Sequence, residues 1–228
     1  MSVLSSILQA LFPSVCACCD EVLVDGERQI CLHCLYDMEQ TRLGSIPDNL
    51  AERRLAAIPN LDAVMAAYRF QHENTVQAVV HAMKYHACTE LCLMMGRQMG
   101  LALLGSGRFD DVDLMIPVPL HWRRRLKRGY NQSELLCRGI AAVMPRPIDT
   151  RCLVRHRYTR QQSRQQGDLR RQNVEGAFSL RHPETLQGRH VLLVDDVLTT
   201  GATLAACCHA LADVPDLRIS VATFCIAL

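Results

Sequence analysis

Long apolar runs are absent from this 228-residue chain, and without a stretch of about 18 such residues no helix can cross a bilayer. Basic residues are absent from its beginning. No Lys or Arg precedes Arg28, so the first residues lack the positive region of a secretion signal, and the expected compartment is the cytoplasm. Lysine is nearly missing: 23 of the 25 basic residues are Arg, the side chain suited to bidentate phosphate contacts. Neither an internal repeat nor a low-complexity segment occurs. Apolar residues at 49% and charged residues at 21% exclude wholesale disorder.

Cysteine is not scarce. There are 12, and in a reducing compartment clustered ones are expected to bind metal rather than form disulfides. The net charge of +2 conceals a division. Fourteen of the 25 basic residues and only three acids (Glu134, Asp149, Asp168) lie between His121 and Arg171, while the remainder is acidic. Such a split points to an anionic partner for that segment.

Val3, Leu4, Ile7, Leu8 and Leu11 fall at helical spacing before Pro13, as in a short amphipathic helix packed on the body rather than a membrane anchor. Residues 1–40 are expected to hold this helix and a cysteine-bearing unit, and 41–60 to form a connection with room for one helical turn. Residues 61–228 are expected to form an α/β domain. There, Ala63–Phe70, Val112–Val118, Cys152–Val154, His190–Val194 and Ile219–Ile226 read as strands. Asn74–Met83, Glu90–Leu104, Ser133–Met144 and Ala202–Leu211 read as helices, and 161–171 as a polar loop or exposed helix. The alternation predicts a mostly parallel sheet with helices on both faces.

Cys16 and Cys19 form one C-x-x-C pair, and Cys31 and Cys34 another. Two tight turns, each aiming two thiolates at one ion, complete a tetrahedral zinc site of structural type, as in a short zinc ribbon. Cys18 and His33 are spare ligands, and four incidental buried cysteines are the alternative. The other seven cysteines lie in apolar periodic segments and are expected in the core.

The most informative stretch runs from Val191 to Thr203. A buried strand ends in Asp195 and Asp196 and continues through Thr199, Thr200, Gly201, Ala202 and Thr203 into a helix. Helix N-terminal amides with threonine hydroxyls suit a phosphate monoester, and two consecutive carboxylates suit a ribose diol or a hydrated Mg²⁺. A capped acidic surface turn is the plainer alternative. The stretch resembles the motif by which type I phosphoribosyltransferases bind phosphoribosyl pyrophosphate (PRPP). The resemblance implies that Asp195 and Asp196 contact the ribose and that Thr199 to Thr203 hold the 5′-phosphate. His81–Tyr85, Pro117–Pro119, Arg128–Gln132, Arg170, Asn173 and Gly176–Phe178 extend it, together with the cysteine pairs, to the ComF/GntX family. That family joins a zinc ribbon to a phosphoribosyltransferase-like domain. Asp20 departs from its pattern, since glycine commonly follows the second cysteine.

By the same resemblance, a mobile loop from His121 to Gln132 closes over Mg²⁺–PRPP, with Gly129 as hinge. Arg128, Lys127 and, from another loop, Lys84 then hold the pyrophosphate. Trp122 and Tyr130 suit either base stacking or apolar anchoring. Arg123, Arg124, Arg125 and Lys127 are candidate contacts for single-stranded DNA, continued by the arginines of 155–171, with a solvated face as the alternative. Three functions follow from the resemblance. The first is phosphoribosyl transfer to an unidentified acceptor. The second is an accessory role in competence, with single-stranded DNA and DNA-uptake proteins as partners, or in gluconate utilisation. The third is a PRPP-responsive regulator.

Overall fold

A computed structural model describes residues 13–71, 74–85, 88–156 and 176–227. The N-terminal amphipathic segment, the polar stretch 161–171, Arg157 and Asn173 lie outside them. The described elements follow the chain as α1 (Leu32–Asp37), α2 (Leu50–Arg54), β1 (Leu61–Phe70), α3 (Thr75–Tyr85) and α4 (Thr89–Ser106). Next come β2 (Leu114–Pro117), α5 (Trp122–Arg128), α6 (Gln132–Ala141), β3 (Leu153–Arg155) and β4 (Phe178–Leu180). The last three are β5 (His190–Leu198), α7 (Ala202–Leu211) and β6 (Arg218–Ala227).

Four strands pair in parallel in the order β1-β6-β5-β2, while β3 and β4 form a separate antiparallel ribbon. Side chains alternate across a strand, and both faces here are apolar. Met65, Leu192, Val194, Ala222 and Phe224 pack with α3, α4 and α6 on one face. Val64, Ala66, Val191, Leu193 and Val221 pack with α2 and α7 on the other. The sheet is thus parallel and covered on both sides, as the alternating pattern predicts.

The outer strands meet further chain. Thr41 N donates to Ala67 O at 2.8 Å and Arg69 N to Glu39 O at 2.9 Å along β1. Met115 N donates to Pro147 O and Asp149 N to Met115 O, both at 2.9 Å, along β2.

Two segments differ from expectation. Residues 41–60 hold more than one helical turn: a 3₁₀ turn at Leu43–Ser45 precedes α2, which starts on a capping box formed by Asn49 and Glu52. Asn49 Nδ2 donates to the carbonyls of Leu43, Ile46 and Val64 at 2.8–3.0 Å, and Glu52 accepts from Val64 N at 3.2 Å. The capping box starts the helix, and Ala51, Leu55 and Ile58, spaced at helical intervals, bury one side of the segment.

The second difference is α5. Residues 122–128 form a helix instead of an irregular loop. His121 caps it by accepting from Arg123 N at 3.3 Å, and Gly129 ends it at φ +83°. Gly129 therefore serves as a left-handed C-cap.

Candidate functional site

The site lies where β5 ends. An unbroken apolar run carries β5 through the sheet centre, and the strand extends four residues past Val194 to Leu198. Asp195 and Asp196 are therefore strand residues, and successive side chains point to opposite faces. Asp196 Oδ2 pairs with Lys84 Nζ at 2.9 Å, on the α3 side. Asp195 has Arg155 and Cys207 as electrostatic neighbours, on the side of α7. Strand alternation thus sends the two carboxylates in different directions from the strand end, while both still act on Lys84.

Their environments differ. Ser133 Oγ at the start of α6 donates to Asp195 Oδ1 at 3.1 Å, and Asp196 N donates to the same oxygen at 2.9 Å. Burial, reinforced by the charge of Asp196, still pushes the Asp195 carboxyl up to about 7. Burial alone would lower the Lys84 ammonium, but Asp196 and Asp195 outweigh it and hold it above its ordinary value.

The turn after β5 opens α7. Gly201 occupies the N-cap position at φ +79° and supplies no capping side chain. A Cβ there would lie 2.5 Å from Leu55 Cδ2, which could swing aside, so it is the backbone conformation that calls for glycine. Thr200 Oγ1 accepts from Ala202 N at 3.4 Å. Thr199 is exposed, while Ala202 and Thr203 are half-buried in the first turn of α7.

On the other flank, Tyr130 Oη donates to Met83 O at 2.8 Å, and the Arg128 guanidinium lies 5.5 Å from the centre of the Tyr85 ring. Burial first, then the nearby Cys92 and Cys88, push the Tyr130 phenol up to about 12, so it stays a donor. These contacts bring Arg128 beside the end of α3 that carries Lys84. Tyr130 is an anchor here, and Trp122 stays 58% exposed.

The basic residues of α5 divide by face. Arg124 and Arg128, four positions apart, are half-buried and turn toward the body, whereas Arg123, Arg125 and Lys127 are exposed. Burial, and next to it the Arg124 charge, lower Arg155, which also lies 5.2 Å from the centre of the Phe178 ring. Ser133 and Arg54 are site neighbours that the sequence pattern does not single out, and Arg155, expected only as part of the basic run, lies near Asp195. The one local signal was Asn131, an N-cap residue that marks the helix start holding Ser133.

The N-terminal cysteines converge. The Sγ atoms of Cys16, Cys19, Cys31 and Cys34 all lie within 4.8 Å of one another, with Cys19 and Cys31 at 3.7 Å. Sulfurs about 2.3 Å from a tetrahedral zinc sit roughly 3.8 Å apart, so the cluster is compatible with structural zinc. The amides of Cys18 and Cys31 donate to Cys16 Sγ at 3.4 and 3.3 Å, and that of Cys34 to Cys31 Sγ at 3.4 Å. Cys18 and His33 stand outside this group of four. Asp20 adopts φ +60° while its amide donates to Cys16 O at 3.1 Å. That left-handed position explains the usual glycine, and the turn forms here with aspartate in it.

The chain is similar to known proteins, and the family match includes β5 and α7. Residues 137–227 match the phosphoribosyl transferase domain. The DNA utilization protein YhgH of Escherichia coli O157:H7 is 37% identical over 130 residues, 56% of each chain. Competence protein F of Haemophilus influenzae is 37% identical over 114 residues, 48% of this chain and 50% of its own. Competence protein ComFC of Bacillus subtilis is 33% identical over 95 residues, 42% of this chain and 36% of its own. The matched region spans about half the length of the first two relatives, or less than two-fifths of ComFC. No helix among the described residues is long and apolar enough to cross a membrane.

Proposed function

This chain carries a phosphoribosyl transferase domain and is homologous to YhgH and the competence proteins, and from that premise we propose that it binds Mg²⁺–PRPP and transfers the phosphoribosyl group to an acceptor. The observation that carries the reading is the end of β5: two carboxylates followed by a glycine turn that opens α7, with Lys84 2.9 Å from Asp196.

In this reading the 5′-phosphate sits on the amides and hydroxyls of Thr199 to Thr203, where the helix N-terminus favours an anion. Asp195 and Asp196 accept hydrogen bonds from the ribose hydroxyls. Lys84 and Arg128 face the pyrophosphate, and their cations stabilise the negative charge that gathers on it as the bond to the anomeric carbon breaks. Mg²⁺, when bound with PRPP beside the carboxylates, supplies further neutralisation of the leaving group. Catalysis rests on positioning and charge stabilisation. The domain limits at 40 and 60 and a cytoplasmic location belong to the same proposal.

Mg²⁺–PRPP should raise the melting temperature of the protein, and Asp195→Asn with Asp196→Asn should remove that rise. No rise in the parent chain refutes the reading. The pH dependence has a definite sign. Asp195 takes up a proton as pH falls through about 7, so if the ionised form binds ribose, affinity should drop about tenfold between pH 8 and pH 6. Equal affinity at both values would remove Asp195 from the ribose contact.

The outer face of α5 favours a second reading, an accessory that contacts single-stranded DNA. Arg123, Arg125 and Lys127 project there beside Trp122, and the names of the relatives refer to DNA utilization and competence. Oligonucleotide affinity should fall steeply with salt. Replacing the three cations by Ala should flatten the log–log slope by about 2. An unchanged slope would clear this face of the role.

A further inference from the structure

Arg54 lies on α2, far in sequence from the turn that opens α7, yet its Nη1 donates to Thr199 O at 2.8 Å. The same nitrogen also donates to Ala227 O, at the last residue of β6. One guanidinium therefore ties the turn to the end of the neighbouring strand. Leu55, the next residue, fills the space a Cβ on Gly201 would occupy. Behind the first turn of α7 lies a cleft of about 540 Å³, lined by Arg54, Leu55, Phe178, Thr200, Gly201 and Ala206. Empty space on that side braces nothing, so the turn leans on Arg54 and Leu55 at the wall of the cleft and on Leu198 beneath it. Among the described residues no side-chain carboxylate pairs with Arg54.

We infer that Arg54 is a positioning residue for the phosphate turn: it holds the Thr199 carbonyl so that the amides of Gly201 to Thr203 stay aimed at the 5′-phosphate. The inference rests on the phosphate-turn reading above and adds a residue of the connecting segment to the site. Arg54 acts through the turn and touches no reacting atom. Its loss should weaken ligands held by the turn and spare those held by Lys84 and Arg128 alone.

Calorimetric titration of the full chain with ribose 5-phosphate and, separately, with Mg²⁺–pyrophosphate distinguishes these effects. Arg54→Ala should weaken ribose 5-phosphate at least tenfold and leave pyrophosphate affinity within twofold. Arg54→Lys, which keeps a donor and the charge, should recover part of the loss. Retained pyrophosphate binding also shows that the variant is folded. Ribose 5-phosphate affinity equal to the parent's in Arg54→Ala overturns the inference alone, as does an equal loss of both ligands in both variants, which marks a merely structural role. A parent chain that binds pyrophosphate but no ribose 5-phosphate overturns the phosphate-turn reading with it.

Discussion

Cys31→Ser should abolish stoichiometric zinc binding and open residues 14–38 to proteolysis while the parallel sheet survives. Among the described residues 14–38, besides three of the cysteines, only Ile30 and Met38 are buried. So few apolar side chains, although they join the core beside α3, leave much of the ordering of this backbone to metal binding. Structural zinc in peptides of this kind is worth an apparent 10–16 kcal/mol or so at neutral pH. Outer-shell losses already lower metal affinity about 10- to 100-fold, and removing a ligand should exceed that. Cys31 also caps α1, where Cys34 N donates to its sulfur, so the substitution removes a ligand and weakens the helix start. The effect should reach the β5 site in reduced form, because Asp37 accepts from Thr75 Oγ1 at 2.6 Å and Thr75 begins the helix that carries Lys84. Elemental analysis with limited proteolysis measures both outcomes. One zinc per chain retained in Cys31→Ser, or none in the parent after purification with zinc, would refute the four-cysteine site.

The second large effect belongs to α4 and α6. Gly139→Ala should cost about 3 kcal/mol or more, beyond the ordinary range for added methyl groups in a core. A Cβ at Gly139 would sit 2.3 Å from Leu93 O and 2.7 Å from Gly96 Cα, and one at Gly96 would sit 2.4 Å from Leu136 O. The obstructing atoms are backbone, so no rotamer relieves the clash and the helices must separate. Gly105→Ala on α4 is the control. Nothing lies within 4 Å of that Cβ, and alanine there should stabilise by up to about 1 kcal/mol. Urea titrations should therefore give opposite signs for one chemical change. A shift of α6 also carries Ser133 away from Asp195, so PRPP affinity should fall in Gly139→Ala and hold in Gly105→Ala. Equal stability of the two variants would contradict the close crossing.

Sequence patterning revealed the elements whose structure is local. Val191–Val194 followed by two acids, Gly201 and an apolar helix could be read directly, and α7 spans the expected residues. The four clustered cysteines were legible because each pair spans one turn. The helix α5 was not legible as one. It lacks an apolar stripe, Leu126 is 75% exposed, and its stability comes from good helix formers and from caps at His121 and Gly129. Helical periodicity therefore gave no warning. Ser133 and Arg54 were missed for a different reason. They reach partners 62 and 145 positions away, and such contacts leave no pattern in neighbouring residues. The divergence of Asp195 and Asp196 follows from strand alternation, but only once β5 is known to run beyond them.

The segments flanking the outer strands have a consequence for the molecule among its neighbours. An open parallel sheet ends in two rows of unsatisfied amides and carbonyls, which can template a strand from another chain. On β1, Val64 gives both its amide and its carbonyl to Glu52 and Asn49. Ala67 and Arg69 are occupied by Thr41 and Glu39, and Met115 on β2 by Pro147 and Asp149. Side chains and single hydrogen bonds thus occupy donors and acceptors that would otherwise recruit a foreign strand, so short irregular pieces of chain guard this sheet against edge-to-edge aggregation.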